Sequence, residues 1–326
     1  MTGIFKRNNP INHFILLLYG IALKLPSFLY PEVPVPQHMD GVVYRLLLRW
    51  MLPLGESTPV VFPILSFILV YIQAIAINNL VKHQRLMQKQ SYLPGMTYLL
   101  FTSLFTEWQT FSAPVIVNTL MIWVLAQLCN LNNSTRPKTI LFNIGLAIGL
   151  SSFFYFPTVI FCLLIVLGIF LTRPFVLPEW LMVLLGGLTP YYFFAAWVFL
   201  TNRWDNFKIP AIKVVKPYFF QSTISYIAVG LILITVLVGA VFVQSNLRRQ
   251  LVQTRKNWTL IFVYLVVAFF IPFINTNDRV DYWVLVAVPA TIIGTAAFLY
   301  PTRKWFGFVL HWSMVATIIT LSYFLP

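Results

Sequence analysis

Long apolar runs separated by short polar turns fill the chain. They fall at about 11–30, 60–80, 92–105, 114–131, 139–153, 158–171, 179–201, 226–245, 260–274, 284–300 and 306–324. A helix needs roughly 20 apolar residues to cross the hydrocarbon, so this pattern predicts ten or eleven membrane-crossing segments. Two pairs are short. The runs at 92–105 and 114–131 meet at the tip TEWQTFSAP, and those at 139–153 and 158–171 are broken by FYFP at 154–157. The brevity of the first places its tip below the outer membrane surface. The segment 31–58 differs from the runs: inside it, VVYRLLLRWMLPL at 42–54 sets Arg45 and Arg49 four residues apart, on one helical face. It is too short to cross and reads as an amphipathic helix lying at the outer interface. The expected fold is an all-α, polytopic transmembrane helical bundle. It forms a single domain over 1–326, with this outer loop and a basic outer loop at 202–225. No internal repeat stands out.

Composition sharpens the class. Hydrophobic residues make up 59% of the chain and charged residues 9%, whereas a soluble domain carries about 25% charged residues. The net charge of +14 would raise nucleic-acid binding in a soluble protein, but no basic soluble domain exists to do it. Most basic residues instead sit in short turns: Lys6 and Arg7, Lys82 to Lys89, Arg136 and Lys138, Arg173, Arg248 to Lys256, Arg303 and Lys304. The positive-inside bias assigns these turns and the N-terminus to the cytoplasm. Of the 8 acids, all but Glu179 then fall outside. Acids contribute little to orientation, so their one-sidedness points to a polar cavity opening at the outer face. Cys129 and Cys162 lie within apolar runs and read as small core residues. With no disulfide framework and no Cys/His ligand spacing, neither a metal nor a cofactor is expected. Lys24, near the outer end of the first run, can snorkel to the interface.

Candidate chemistry lies in the outer segments. Asp40, in QHMDGVVYR, is placed either as a general base facing the outer surface or as the N-cap of the following helix. His38 beside it could assist proton transfer. Glu107 sits at the tip of the short pair, where an acid at membrane depth is a functional candidate. Arg45 and Arg49 could hold a phosphate or contact lipid headgroups. Lys208, Lys213 and Lys216 stand on an outer loop against the inside bias, which fits an anionic lipid or lipid-phosphate partner or plain solvated charge. Asp278, Arg279 and Asp281 form a charged cluster that caps the cavity, pairs with the outer-loop lysines or makes a plain polar turn.

Two resemblances follow from particular stretches. FNIGLAIGLSSFFYFPTVIFCLLIVLGIFLTRPFVLPEWLMVLLGGLTPYYFF at 142–194, with NTNDRVDYWVLVAVPATIIG later in the chain, resembles an integral membrane family of unknown function from Bacteroidota. That likeness implies a bacterial inner-membrane protein and brings no activity. The order of elements carries the second: a span, an outer loop with an acid and an amphipathic helix, a span ending in basic residues, then paired short helices. This order resembles the GT-C glycosyltransferases, which use polyprenyl-phosphate sugars at the outer face. The resemblance implies that Asp40 matches the catalytic acid of their first outer loop, and Glu107 the further acid of the next. Departures are a lone Asp instead of an acidic pair and the lack of a C-terminal soluble domain. The competing expectations are a non-catalytic membrane subunit that holds protein partners or lipids, and a lipid or polyprenyl-phosphate transporter.

Overall fold

A computed structural model of the chain describes residues 2–202, 213–216, 222–274 and 280–324. Helices account for nearly all of it. They are α1 (Thr2–Phe5), α2 (Asn12–Leu23), α3 (Leu25–Leu29), α4 (Val42–Ser57), α5 (Val61–His83), α6 (Leu93–Ser103), α7 (Ala113–Asn130), α8 (Pro137–Phe154), α9 (Phe161–Thr172), α10 (Leu177–Leu200), α11 (Thr223–Leu247), α12 (Val252–Phe270), α13 (Ala287–Leu299) and α14 (Lys304–Phe324). Among the described residues there is no sheet, only isolated bridges between Asp40 and Tyr155 and between Val214 and Ile274. Among the described residues eight helices are long and apolar enough to cross a membrane, so the chain is a multi-pass membrane protein.

The core is built around α6 and α13. Every residue of α6 is buried, as is α13 from Ala287 to Phe298. These two helices pack on each other, with α5 against α6 and α11 against α13. At the other extreme, only 17% of the most apolar window of α10 and 22% of that of α11 are buried. Their exposed Leu184, Leu188, Phe193, Leu233 and Leu237 form surfaces that lipid covers and water would not tolerate. The tightest crossing joins α8 to α10. Gly145 and Gly149 meet Gly186 and Gly187 there, and a Cβ on Gly145 or Gly186 would overlap a backbone carbonyl of the facing helix. Small residues at such positions let two backbones approach closely without any hydrophobic drive between helices in lipid.

Some boundaries depart from the apolar pattern. The first run breaks at Lys24, which leaves the helical region, and Pro26 just beyond it has no N–H to continue the ladder of α2. Lys24 does not snorkel: it is 1% exposed, and its Nζ donates to the Thr102 carbonyl at 3.3 Å. It follows Asn12, Leu16 and Gly20 at four-residue steps along the buried face of α2, so geometry turns it inward. α12 begins eight residues before the apolar run does, taking Arg255 and Lys256 into helix. A 3-10 turn over Asp281–Val286 leads into α13.

The two ends of the bundle differ in charge. One end gathers the turns carrying Lys82, Arg85, Arg136, Arg173 and Arg248. They are tied by bonds from Gln88 to Asn246, Gln84 to Asn130, Asn257 to Gln84, and Gln250 to the Leu86 carbonyl. The N-terminus lies at this end, since Tyr92 N–H donates to the Phe5 carbonyl and Asn8 to Gln90. The opposite end holds Asp40, Glu107 and Asp281.

Candidate functional site

Pro157 stops the helical ladder of α8, and Tyr155 takes an extended conformation, freeing the backbone groups around it. The strand-like segment before α4 uses them. Gly41 N–H donates to the Phe154 carbonyl at 2.7 Å, and Phe156 N–H to the Met39 carbonyl at 3.3 Å. Gly41 is required at this contact, because a Cβ there would overlap the Phe153 carbonyl. The bridge turns Asp40 inward, to 6% exposure. Its Oδ2 accepts from Gln37 N–H at 2.7 Å. The N-cap of α4 is Gly41, with no side-chain cap, so Asp40 does not cap the helix.

A second acid lies beside Asp40. Asp281, at the start of the turn before α13, is 9% exposed. Both carboxylates act on the Tyr155 phenol. Burial first, and then the charges of Asp281, Tyr282 and Asp40, push that phenol well above its ordinary pKa. Tyr155 therefore stays protonated and is a hydrogen-bond donor. Asp40 and Asp281 share a crevice of about 20 Å³ with Glu32, Tyr44 and Ser112. Tyr44 fixes one wall, its hydroxyl donating to the Phe111 carbonyl at 2.9 Å. The Ser112 hydroxyl is buried with no hydrogen-bond partner among the described residues. Glu32, Thr110 and Phe111 also line an adjoining cavity of about 360 Å³, whose other walls include Ser27, Tyr30 and Gln109. The larger space can admit part of a ligand; the crevice alone cannot.

The remaining sequence candidates are dispersed. Glu107 is half-buried, with its Oε2 accepting from the Thr106 hydroxyl at 3.3 Å, and it lines neither cavity. Arg45 is exposed, and its guanidinium donates to the His38 carbonyl at 2.8 Å; the His38 side chain is exposed. Arg49 is exposed one turn further along α4. Lys213 and Lys216 are exposed, while Lys208, Asp278 and Arg279 lie outside the described residues.

Sequence reading singled out Asp40 but missed Tyr155 and gave Asp281 no role beside Asp40. The FYFP break was the available signal, since a helix interrupted at membrane depth must find partners for its freed backbone groups. Chemically, the crevice offers two carboxylates beside a phenol. Among the described lining residues of the two cavities there is no Lys or Arg. The sequence-named cations Arg45 and Arg49 lie on α4, whose surface has three sectors. Tyr44, Leu48 and Gly55 face the protein, Val43, Leu46, Trp50 and Leu54 are exposed and apolar, and Arg45 and Arg49 stand between.

Residues 43–325 match a family described as a family of unknown function (DUF6427). Tyr155 and Asp281 fall within the matched residues and Asp40 just before them. No curated protein and no solved structure matches the chain.

Proposed function

The chain belongs to DUF6427, a family of unknown function, and we propose that this membrane protein is a transferase acting on a polyprenyl-phosphate-linked sugar at the face that carries Asp40. One observation carries the reading: two carboxylates, Asp40 and Asp281, are buried side by side around Tyr155 at the edge of an open cavity. Burying a charge is costly, and such clusters in clefts are candidate functional sites.

In this reading the acceptor enters the larger cavity and presents a hydroxyl to the crevice. Asp40 takes its proton as general base, with Asp281 beside it and the Tyr155 hydroxyl as donor to the pair. The acceptor oxygen bonds to the anomeric carbon while the bond from that carbon to the phosphate oxygen breaks. Polyprenyl phosphate leaves with the electron pair. The leaving phosphate stays outside the acidic crevice, at the level of Arg45 and Arg49, which stabilise its charge. Glu107, His38, Lys213 and Lys216 serve at the rim. The basic end of the bundle faces the cytoplasm by the positive-inside bias, which sets the crevice at the periplasmic side of a bacterial inner membrane.

Donor recognition is tested by binding polyprenyl phosphate and uncharged polyprenol to the protein in nanodiscs. The phosphate should bind at least 10-fold more tightly, and R45Q/R49Q should erase most of that preference. Equal binding of the two lipids would remove the donor assignment.

A further inference from the structure

The consecutive helices α11 and α12 leave a gap between them. α11 packs on α13 and α14, whereas α12 packs on α9 and α13. The gap is a groove of about 780 Å³ lined by Ala240, Val241, Gln244, Ser245, Arg248 and Phe262. Residues 240, 244 and 248, with 241 and 245, follow four-residue steps on one face of α11. Along that face the lining passes from apolar, to amide and hydroxyl, to a cation at the basic end of the bundle.

Arg248 is exposed, and its side chain makes no hydrogen bond or ion pair with any described residue. Arg249 and Arg255 are also exposed nearby, and Lys256 is half-buried. The described acid at this end, Glu179, is already paired with Arg173 at 3.3 Å. The protein therefore presents a partly apolar groove ending in a guanidinium that no described acid neutralises. We propose that this groove is a binding site for an anionic phospholipid. One acyl chain lies along Ala240, Val241 and Phe262, and the phosphate sits on Arg248 with the Gln244 amide as second donor. The Ser245 hydroxyl is already committed to the Phe242 carbonyl at 2.9 Å and acts as wall. A planar guanidinium suits two phosphate oxygens at once, and basic pockets between membrane helices hold anionic headgroups. Free phosphate would use only the polar end of the groove. This site lies at the end opposite Asp40 and does not depend on the transferase reading.

The test is native mass spectrometry of the full-length protein in a neutral detergent with phosphatidylglycerol, phosphatidylcholine or inorganic phosphate added. Phosphatidylglycerol should bind at least 10-fold more tightly than phosphatidylcholine, and phosphate should not bind measurably. R248Q should bring phosphatidylglycerol down to the phosphatidylcholine level, while R249Q, the control for general surface charge, leaves most of the preference. A240W, which fills the channel, should weaken both lipids while the protein stays monodisperse. Equal binding of the two lipids would overturn the site. So would a preference that survives R248Q, or equal losses in R248Q and R249Q. Phosphate binding as tight as the lipid would reduce it to an ion site, and a dimer that excludes lipid would make the groove a protein interface.

Discussion

Gly41 and Arg85 show how single backbone positions hold the two ends of the bundle. Gly41 sits against the Phe153 carbonyl, and its own N–H bond to Phe154 anchors the loop that carries Asp40. G41A forces the two segments apart and should cost ~1–3 kcal/mol, the usual range for overpacking. The expected readout is a lower melting temperature in detergent and faster proteolysis between residues 31 and 41. An unchanged melting temperature would mean that the contact is loose. Arg85 has φ 50°, in the left-handed region. It closes α5 with paired bonds, Arg85 N–H to the Lys82 carbonyl at 3.2 Å and Leu86 N–H to the Val81 carbonyl at 3.1 Å. Glycine is the usual residue at this position of the motif. R85G should therefore stabilise the protein by ~1 kcal/mol, seen as a higher melting temperature. At this scale Asp40 was legible because an isolated acid between apolar runs is conspicuous. Its neighbours were not, because the approach of Tyr155 and Asp281 depends on how three distant segments pack.

The helix α4 was legible almost whole. Arg45 and Arg49 four residues apart predicted a helix here, and the segment is helical over Val42–Ser57. If the helix lies flat, as proposed, one of its three sectors rests on the protein, one in acyl chains and one among headgroups. Trp50, 88% exposed on the apolar sector, reports this placement. In a Trp50-only variant, fluorescence should be quenched strongly by lipids brominated near the headgroup and weakly by lipids brominated near the chain ends. The reverse order would put the helix upright. The breaks in other elements were less legible. The extension of α12 through Arg255 and Lys256 escaped hydropathy, because a helix continues through charged residues once it leaves the hydrocarbon. The inward turn of Lys24 escaped because its face is set by α6, a helix whose every residue is buried.

For the molecule as a whole, the segregation of charge that the sequence suggested is also a segregation in space. Acids collect at one end around Asp40 and Asp281, and basic turns at the other around Arg248 and Arg85. The positive-inside bias then makes the orientation testable. In a background without Cys129 and Cys162, R249C should resist an impermeant thiol reagent applied to intact cells and react after lysis. Labelling of R249C in intact cells would invert the topology and move the crevice to the cytoplasm. The transferase reading rests on Asp40 as base, and its most direct test is turnover. Proteoliposomes holding wild-type protein, a polyprenyl-phosphate-linked sugar and an extract of candidate acceptors should release polyprenyl phosphate. D40N, at unchanged melting temperature, should release it at least ~100-fold more slowly, the lower end of what a general base contributes. Equal release by wild type and D40N would contradict the account.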